Sequence, residues 1–224
     1  MIGKKMEQAL NEQINAELYS AYLYLAMVAY FEAENLPGMA SWMRVQTQEE
    51  TTHAMKIFDF VIERSGRVVL TAIDEPAKEW KSPLAAFQAA YKHEQYVTGR
   101  INDLVNLAIA EKDHASNAFL QWFVTEQVEE ESSADANVKL LRRVQDHPQG
   151  LLMADRELGA RAPGADLDFG GDGTAQLEAG GGRTVRFGAG LRQLPVGIRA
   201  DGVDLRVARR RAVRAAGDSS PRLP

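Results

Sequence analysis

The sequence predicts an all-α protein: a four-helix up-down-down-up bundle with one long crossover, then a short fifth helix and a dissimilar C-terminal extension. Three observations predict it. Four successive stretches of about 28–30 residues carry apolar side chains at helical three-four spacing. A few residues join the first stretch to the second and the third to the fourth, whereas 17 residues, Gly66 to Ser82, separate the middle two. Composition then changes abruptly after Pro163.

The first helix is expected from Lys5 to Glu34, stopping at Asn35-Leu36-Pro37-Gly38. The second runs from Gly38 to Arg64 and stops at Ser65-Gly66. The third begins at Ser82-Pro83, an N-cap with proline in the first turn, and ends near Lys112. The fourth starts at Asp113, a residue suited to cap it, and runs to about Asp146, before His147-Pro148. A fifth piece spans Gly150 to Ala160. Short connections make each helix pair antiparallel. An extended crossover covers about 3.3 Å per residue, so 66–82 can return along the bundle; Val68-Val69-Leu70 reads as a short extended piece within it.

The 224 residues are 45% apolar and 25% charged, as in a globular domain long enough to bury a core. There is no cysteine, which excludes disulfides, thiolate zinc sites and iron–sulfur centres and fits a reducing compartment. No apolar run follows the charged Met1–Glu7 segment, and none approaches the length of a membrane span, so a cytoplasmic protein without signal peptide or membrane partner is expected. The whole chain's net charge of -5 argues against nucleic acid as a default partner.

The apolar stripes share one irregularity. They read Leu10, Ile14, Glu17, Ala21, Tyr24, Val28, Phe31, then Met39, Met43, Gln46, Glu50, His53, Ile57, Phe60, then Leu84, Phe87, Tyr91, Glu94, Thr98, Ile101, Val105. The fourth reads Ser116, Leu120, Phe123, Gln127, Glu130, Ala134, Asn137, Leu141. Each stripe is interrupted near mid-helix, and mid-helix positions meet at one level of an antiparallel bundle. Glu17, Glu50, His53, Glu94, Gln127 and Glu130 should therefore converge. No stripe contains Lys or Arg. An unpaired buried charge costs on the order of several kcal/mol, so four carboxylates must take up protons or hold cations. Glu50-x-x-His53 and Gln127-x-x-Glu130 each put two ligands on one helical face; two single glutamates with two Glu-x-x-His pairs form a di-iron pattern, and here the second pair is Gln-x-x-Glu instead.

At these residues the chain resembles bacterial non-heme ferritins over 1–163. The similarity is carried by Gln13-Ile14-Asn15-Ala16-Glu17-Leu18-Tyr19-Ser20-Ala21-Tyr22, Asn35-Leu36-Pro37-Gly38, Glu49-Glu50-Thr51-Thr52-His53-Ala54 and His93-Glu94-Gln95. Further matches are Gln121-Trp122-Phe123, Glu126-Gln127-Val128-Glu129-Glu130-Glu131 and Asp155-Arg156-Glu157-Leu158. The resemblance implies one iron on Glu17, Glu50 and His53. It implies a second on Glu50, Glu94 and Glu130, with Glu50 bridging and Gln127 close by. It implies a third on Glu49, Glu126, Glu129 and Glu130. Tyr24 matches the tyrosine beside the centre and Trp122 a nearby aromatic. A homo-oligomeric shell of about 24 subunits is implied, with the fifth helix lining its four-fold axes. Bacterioferritins carry Glu-x-x-His in the fourth helix and a heme-ligating Met where this chain has Thr51, so no heme is expected. Rubrerythrins need cysteines, which are absent.

Oxygen ligands with one imidazole suit Fe(II) and Fe(III). The expected activity is ferroxidase: paired Fe(II) is oxidised by O2, with iron as substrate and the ferric product stored. Gln127 is a neutral, weak ligand, so the second iron should be loosely held. The alternatives are a metal-binding shell that buffers iron without fast oxidation, and a di-iron enzyme with an organic substrate. The stripes leave no evident cavity for the latter.

The extension, 164–224, holds 10 Arg, no Lys, 7 acids and 12 of the 18 glycines, for a net of +3 against -8 before it. Its composition reads as irregular, and Gly170-Gly171-Asp172-Gly173 has no strand–helix context for a phosphate loop. It is open to three readings: a disordered extension, a non-native end from frameshift or read-through, or a basic anchor built on Arg206, Arg209-Arg210-Arg211 and Arg214 for an acidic partner or nucleic acid. Copies of it inside a shell would take up much of the cavity.

Overall fold

The computed structural model describes residues 1–161, 175–179 and 183–187. Five helices account for most of the first segment: α1 (Lys4–Ala33), α2 (Pro37–Glu63), α3 (Pro83–Ala110), α4 (His114–Val144) and α5 (Pro148–Leu158). Four match the expected spans within one or two residues. The fifth begins two residues early, because Pro148, read from sequence as a terminator, also occupies the first turn of the next helix.

The caps behave as their chemistry requires. Ser82 Oγ accepts from Ala85 N at 3.1 Å, and Asp113 Oδ1 accepts from Ser116 N at 3.1 Å. Asn35, Ser65 and Lys112, just past the ends of α1, α2 and α3, have φ of 57°, 57° and 55°. This left-handed residue reverses the chain and lets the next N–H reach back to the helix, as in Leu36 N to Phe31 O and Gly66 N to Val61 O.

Side-chain bonds fix the directions. Gln13 meets Arg100 while Ser20 meets His93, so α1 and α3 run antiparallel. Gln46 meets Glu130 while Arg64 meets Asp113, so α2 and α4 do too. The crossover climbs along α1: Asn11 Oδ1 accepts from Val69 N, and Asn15 Nδ2 donates to Ala72 O. No strand forms at Val68-Val69-Leu70; the asparagines of α1 satisfy that backbone instead.

The predicted stripes are the core. Leu10, Phe31, Met39, Met43, Ile57, Phe87 and Leu120 are fully enclosed, and Phe60, Leu84, Tyr91, Val105 and Asn137 are half-buried at the margins. Two apolar clusters result. One surrounds Met27, Phe31, Met43 and Phe87, the other Leu10, Ile57, Ile101 and Phe123. Between them lie the buried polar residues of mid-helix.

α5 packs on α2 and α4. A Cβ on Gly38 would lie 1.7 Å from Asp155 O, so only glycine lets the two backbones approach this closely. Asp155 Oδ1 also accepts from Met39 N at 2.8 Å, closing an otherwise unpaired donor in the first turn of α2.

Within the extension, expected to be irregular, two strands pair antiparallel: β1 (Ala175–Ala179) and β2 (Arg183–Phe187), with Leu177 opposite Val185. Alternating small, apolar and polar residues suit an extended backbone. The helical segment and this strand pair belong to separate compact units. Gly170–Gly173 and the Arg206–Arg214 cluster lie outside the described residues. Among the described residues, no helix is long and apolar enough to cross a membrane.

Candidate metal centre

Glu17 of α1, Glu50 and His53 of α2, Glu94 of α3, and Gln127 and Glu130 of α4 are all buried and converge between the two apolar clusters. Glu17, Glu50 and His53 each offer a ligand atom within 4.8 Å of the others, as do His53, Glu126 and Glu130. His53 Nδ1 lies 3.5 Å from Glu50 Oε2.

Glu17 Oε2 and Glu50 Oε2 are enclosed and accept no hydrogen bond. Buried acceptors without donors are uncommon, and two of them on residues clustered with an imidazole fit a divalent metal ion. Glu94 is satisfied differently. Its Oε1 accepts from the Tyr24 hydroxyl, and its Oε2 from Gln127 Nε2 at 3.3 Å. Gln127 also donates to Thr98 Oγ1, which in turn donates to Glu131 at 2.6 Å.

Electrostatics carry the same message. Burial, then the charges of Glu94 and Glu17, push the Glu50 carboxyl well above the usual carboxylate range. Burial chiefly raises Glu94 to about 7, and burial with the charges of Glu94 and Glu49 raises Glu130 to about 8. Burial and the Glu94 and Glu50 charges also raise Tyr24, which stays a phenol at neutral pH. Without a cation the centre therefore holds protons, which a metal would displace.

Sequence reasoning missed the supporting residues. Gln13 is fully buried, donates to Glu17 Oε1 at 2.8 Å, and accepts from Arg100 Nε at 2.9 Å. Gln46 repeats the arrangement: Nε2 donates to Glu130 Oε2 at 3.0 Å, and its oxygen accepts from Arg161. The stripes do lack cations, but two arginines reach the carboxylates at one remove through amides. The signal was present for the glutamines, which lie one helical turn before Glu17 and Glu50. It was absent for the arginines, whose approach depends on other elements. His93, also missed, pairs with Ser20 Oγ at 2.8 Å, and burial lowers it to about 4.

The other expected residues are placed as follows. Trp122 faces His53, ring centroids 5.4 Å apart, with Lys56 Nζ 3.8 Å above it. Glu126 is half-buried near His53 and Glu130, whereas Glu129 is exposed. Glu49 is ion-paired with Arg161 at 2.6 Å.

Such a bundle, with a carboxylate–histidine cluster in its core that could hold a metal ion, defines a ferritin-like four-helix protein. The ferritin-like domain family model matches residues 7–144. The chain belongs to the ferritin family. It is 43% identical to the bacterial non-heme ferritin of Bacteroides fragilis (strain 638R) over 161 residues, 72% of this chain and all of that one. It is 37% identical to the bacterial non-heme ferritin of Staphylococcus aureus (strain USA300), covering 97% of it. An open pore ferritin from the archaeon Archaeoglobus fulgidus superposes with a TM-score of 0.72 at 57% identity, covering 72% of this chain and all of that one. An engineered closed form of the same ferritin gives 0.71.

Proposed function

We propose that this chain is the subunit of an iron-storage ferritin that oxidises Fe(II) with O2 and deposits the ferric product inside a homo-oligomeric shell of about 24 copies. One observation carries the reading: two buried carboxylate oxygens, on Glu17 and Glu50, stand without donors beside His53.

Iron is the substrate. The first Fe(II) sits on Glu17, Glu50 and His53, and the second on Glu50, Glu94 and Glu130 with Gln127 adjacent. Each gives one electron to O2, which takes up two protons and leaves as hydrogen peroxide, and the two irons leave as Fe(III). The centre serves this cycle because its carboxylates are neutralised by protons when empty and by metal when full. Glu94 already accepts from Tyr24 and Gln127 and would share its lone pairs between them and a metal, which makes the second ion the looser one. Tyr24, hydrogen-bonded to a ligand and kept protonated by burial, stands beside the centre as a redox-active side chain. A third, outer ion would draw on Glu49, Glu126, Glu129 and Glu130.

Assembly is supported by the family and by apolar side chains left exposed on the bundle: Tyr22, Leu25, Ile62, Val128 and, on α5, Leu152 and Met153.

Anaerobic titration of the full chain with Fe(II), followed by oxygen uptake on admitting air, tests the proposal. Two ions bound per subunit and prompt oxygen consumption are expected, both abolished by E50A and E130A. Absence of stoichiometric uptake, or uptake indifferent to those substitutions, would remove the basis for it.

A further inference from the structure

Arg161 lies three residues beyond α5, whose backbone at Asp155 comes close to Gly38 of α2. Its side chain lies along one face of α2, where Trp42, Gln46 and Glu49 follow at helical spacing. The guanidinium stacks 4.5 Å from the Trp42 ring centre. One nitrogen donates to Gln46 Oε1, the other to Glu49 Oε2 at 2.6 Å. The contact is largely enclosed, with side-chain exposures of 23% for Arg161 and 12% for Glu49. A planar fork suits these two acceptors as a lysine would not. Because the Gln46 oxygen is taken by Arg161, its amide nitrogen must face Glu130, which it reaches at 3.0 Å.

We propose that Arg161 is a built-in cation at the outer edge of the centre, which holds Glu49 directly and Glu130 through Gln46, and which a third metal ion must displace. The inference rests on the iron reading above and adds a regulator to it. An outer ion would draw on Glu49 beside Glu126 and Glu130, but the guanidinium already occupies Glu49 and repels a second cation. Glu130 is a positioning target rather than a direct partner: the arginine charge opposes the rise in its pKa. Displacement has a mechanical consequence. Past α5, the chain up to Arg161 is held by single backbone bonds, Gly159 N to Asp155 O at 3.0 Å, Ala160 N to Glu157 O at 3.1 Å and Arg161 N to Leu158 O at 3.3 Å. Without the guanidinium anchor this turn opens, so filling of the outer site is transmitted to the end of α5.

Full-chain protein and the R161Q and R161K variants are titrated anaerobically with Fe(II) by calorimetry, with amide hydrogen exchange of 159–161 followed at two and three equivalents. The native protein should take two ions tightly and a third weakly. R161Q should tighten the third by about tenfold, and R161K, which keeps the charge but cannot hold both Gln46 and Glu49, should fall between the two. In the native protein, exchange at 159–161 should accelerate only with the third equivalent. An unchanged or weakened third ion in R161Q, or exchange in the native protein that ignores the third equivalent, overturns the proposal. Failure of the native protein to bind even the first two ions would instead defeat the iron reading.

Discussion

Gln13 holds Glu17 at 2.8 Å across one turn of α1, and Arg100 holds Gln13. One carboxylate oxygen of Glu17 is thereby fixed while the other, Oε2, is left without a donor. An outer partner of this kind sets a ligand's orientation without touching the metal.

Replacing Gln13 with leucine should therefore weaken the first Fe(II) by about 10- to 100-fold with little change in helical content. Anaerobic titration alongside circular dichroism makes the comparison. Native affinity in Q13L would show that packing alone orients Glu17.

The pH dependence of the metal-free protein follows from the raised carboxyls. Glu94 goes from an ordinary 4.5 to about 7, and Glu130 from 4.5 to about 8. A raised folded-state pKa means the folded protein binds protons more tightly than the unfolded chain. That contribution is complete below the ordinary value of 4.5 and is lost as pH climbs through about 7 and 8. The thermal midpoint of metal-free protein should accordingly fall between pH 5 and pH 8, and a saturating divalent ion should remove most of the decline. A midpoint that rises over this range would contradict the buried, proton-holding centre.

Glu50 separates stability from function. Its carboxyl is pushed up by burial and the three neighbouring charges of Glu94, Glu17 and Glu130, so a neutral amide should suit the empty centre better. E50Q should raise the metal-free melting temperature at pH 8 while reducing Fe(II) affinity by at least about a hundredfold. Scanning calorimetry and metal titration on the same preparation decide it. A destabilised E50Q would mean the carboxylate is held by interactions other than those described.

Gly38 tests how α5 is held. An added methyl would meet Asp155 O at 1.7 Å, so α5 must move away or α2 must bend. G38A should lose about 1–3 kcal/mol of stability and, by shifting Arg161, perturb binding at the outer site. Denaturant unfolding measures the first effect and the third Fe(II) equivalent reports the second. If neither changes, the contact between α2 and α5 is more yielding than its geometry implies.

The four long helices and the convergence of Glu17, Glu50, His53, Glu94, Gln127 and Glu130 were legible in the sequence because both follow from local periodicity. Three-four spacing assigns a face, and mid-helix position assigns a level. The caps Ser82 and Asp113 were legible for the same reason, since each acts on its own next turn. The strands at 175–179 and 183–187 were not, because a Gly- and Arg-rich composition masks short alternation.

What tertiary structure alone decided is how each carboxylate is satisfied. Residue type marks Glu94 and Glu17 as equivalent ligands, yet one is capped by Tyr24 and Gln127 while the other keeps an orphaned oxygen. Nothing in the one-dimensional pattern brings Arg100 to Gln13 or Arg161 to Gln46 and Glu49, since these pairs join different elements across distances the helical period does not encode. Local periodicity determines which groups are buried. The docking of α3 on α1, and of the chain past α5 on α2, determines which buried carboxylates are answered by protein donors and which are left without one.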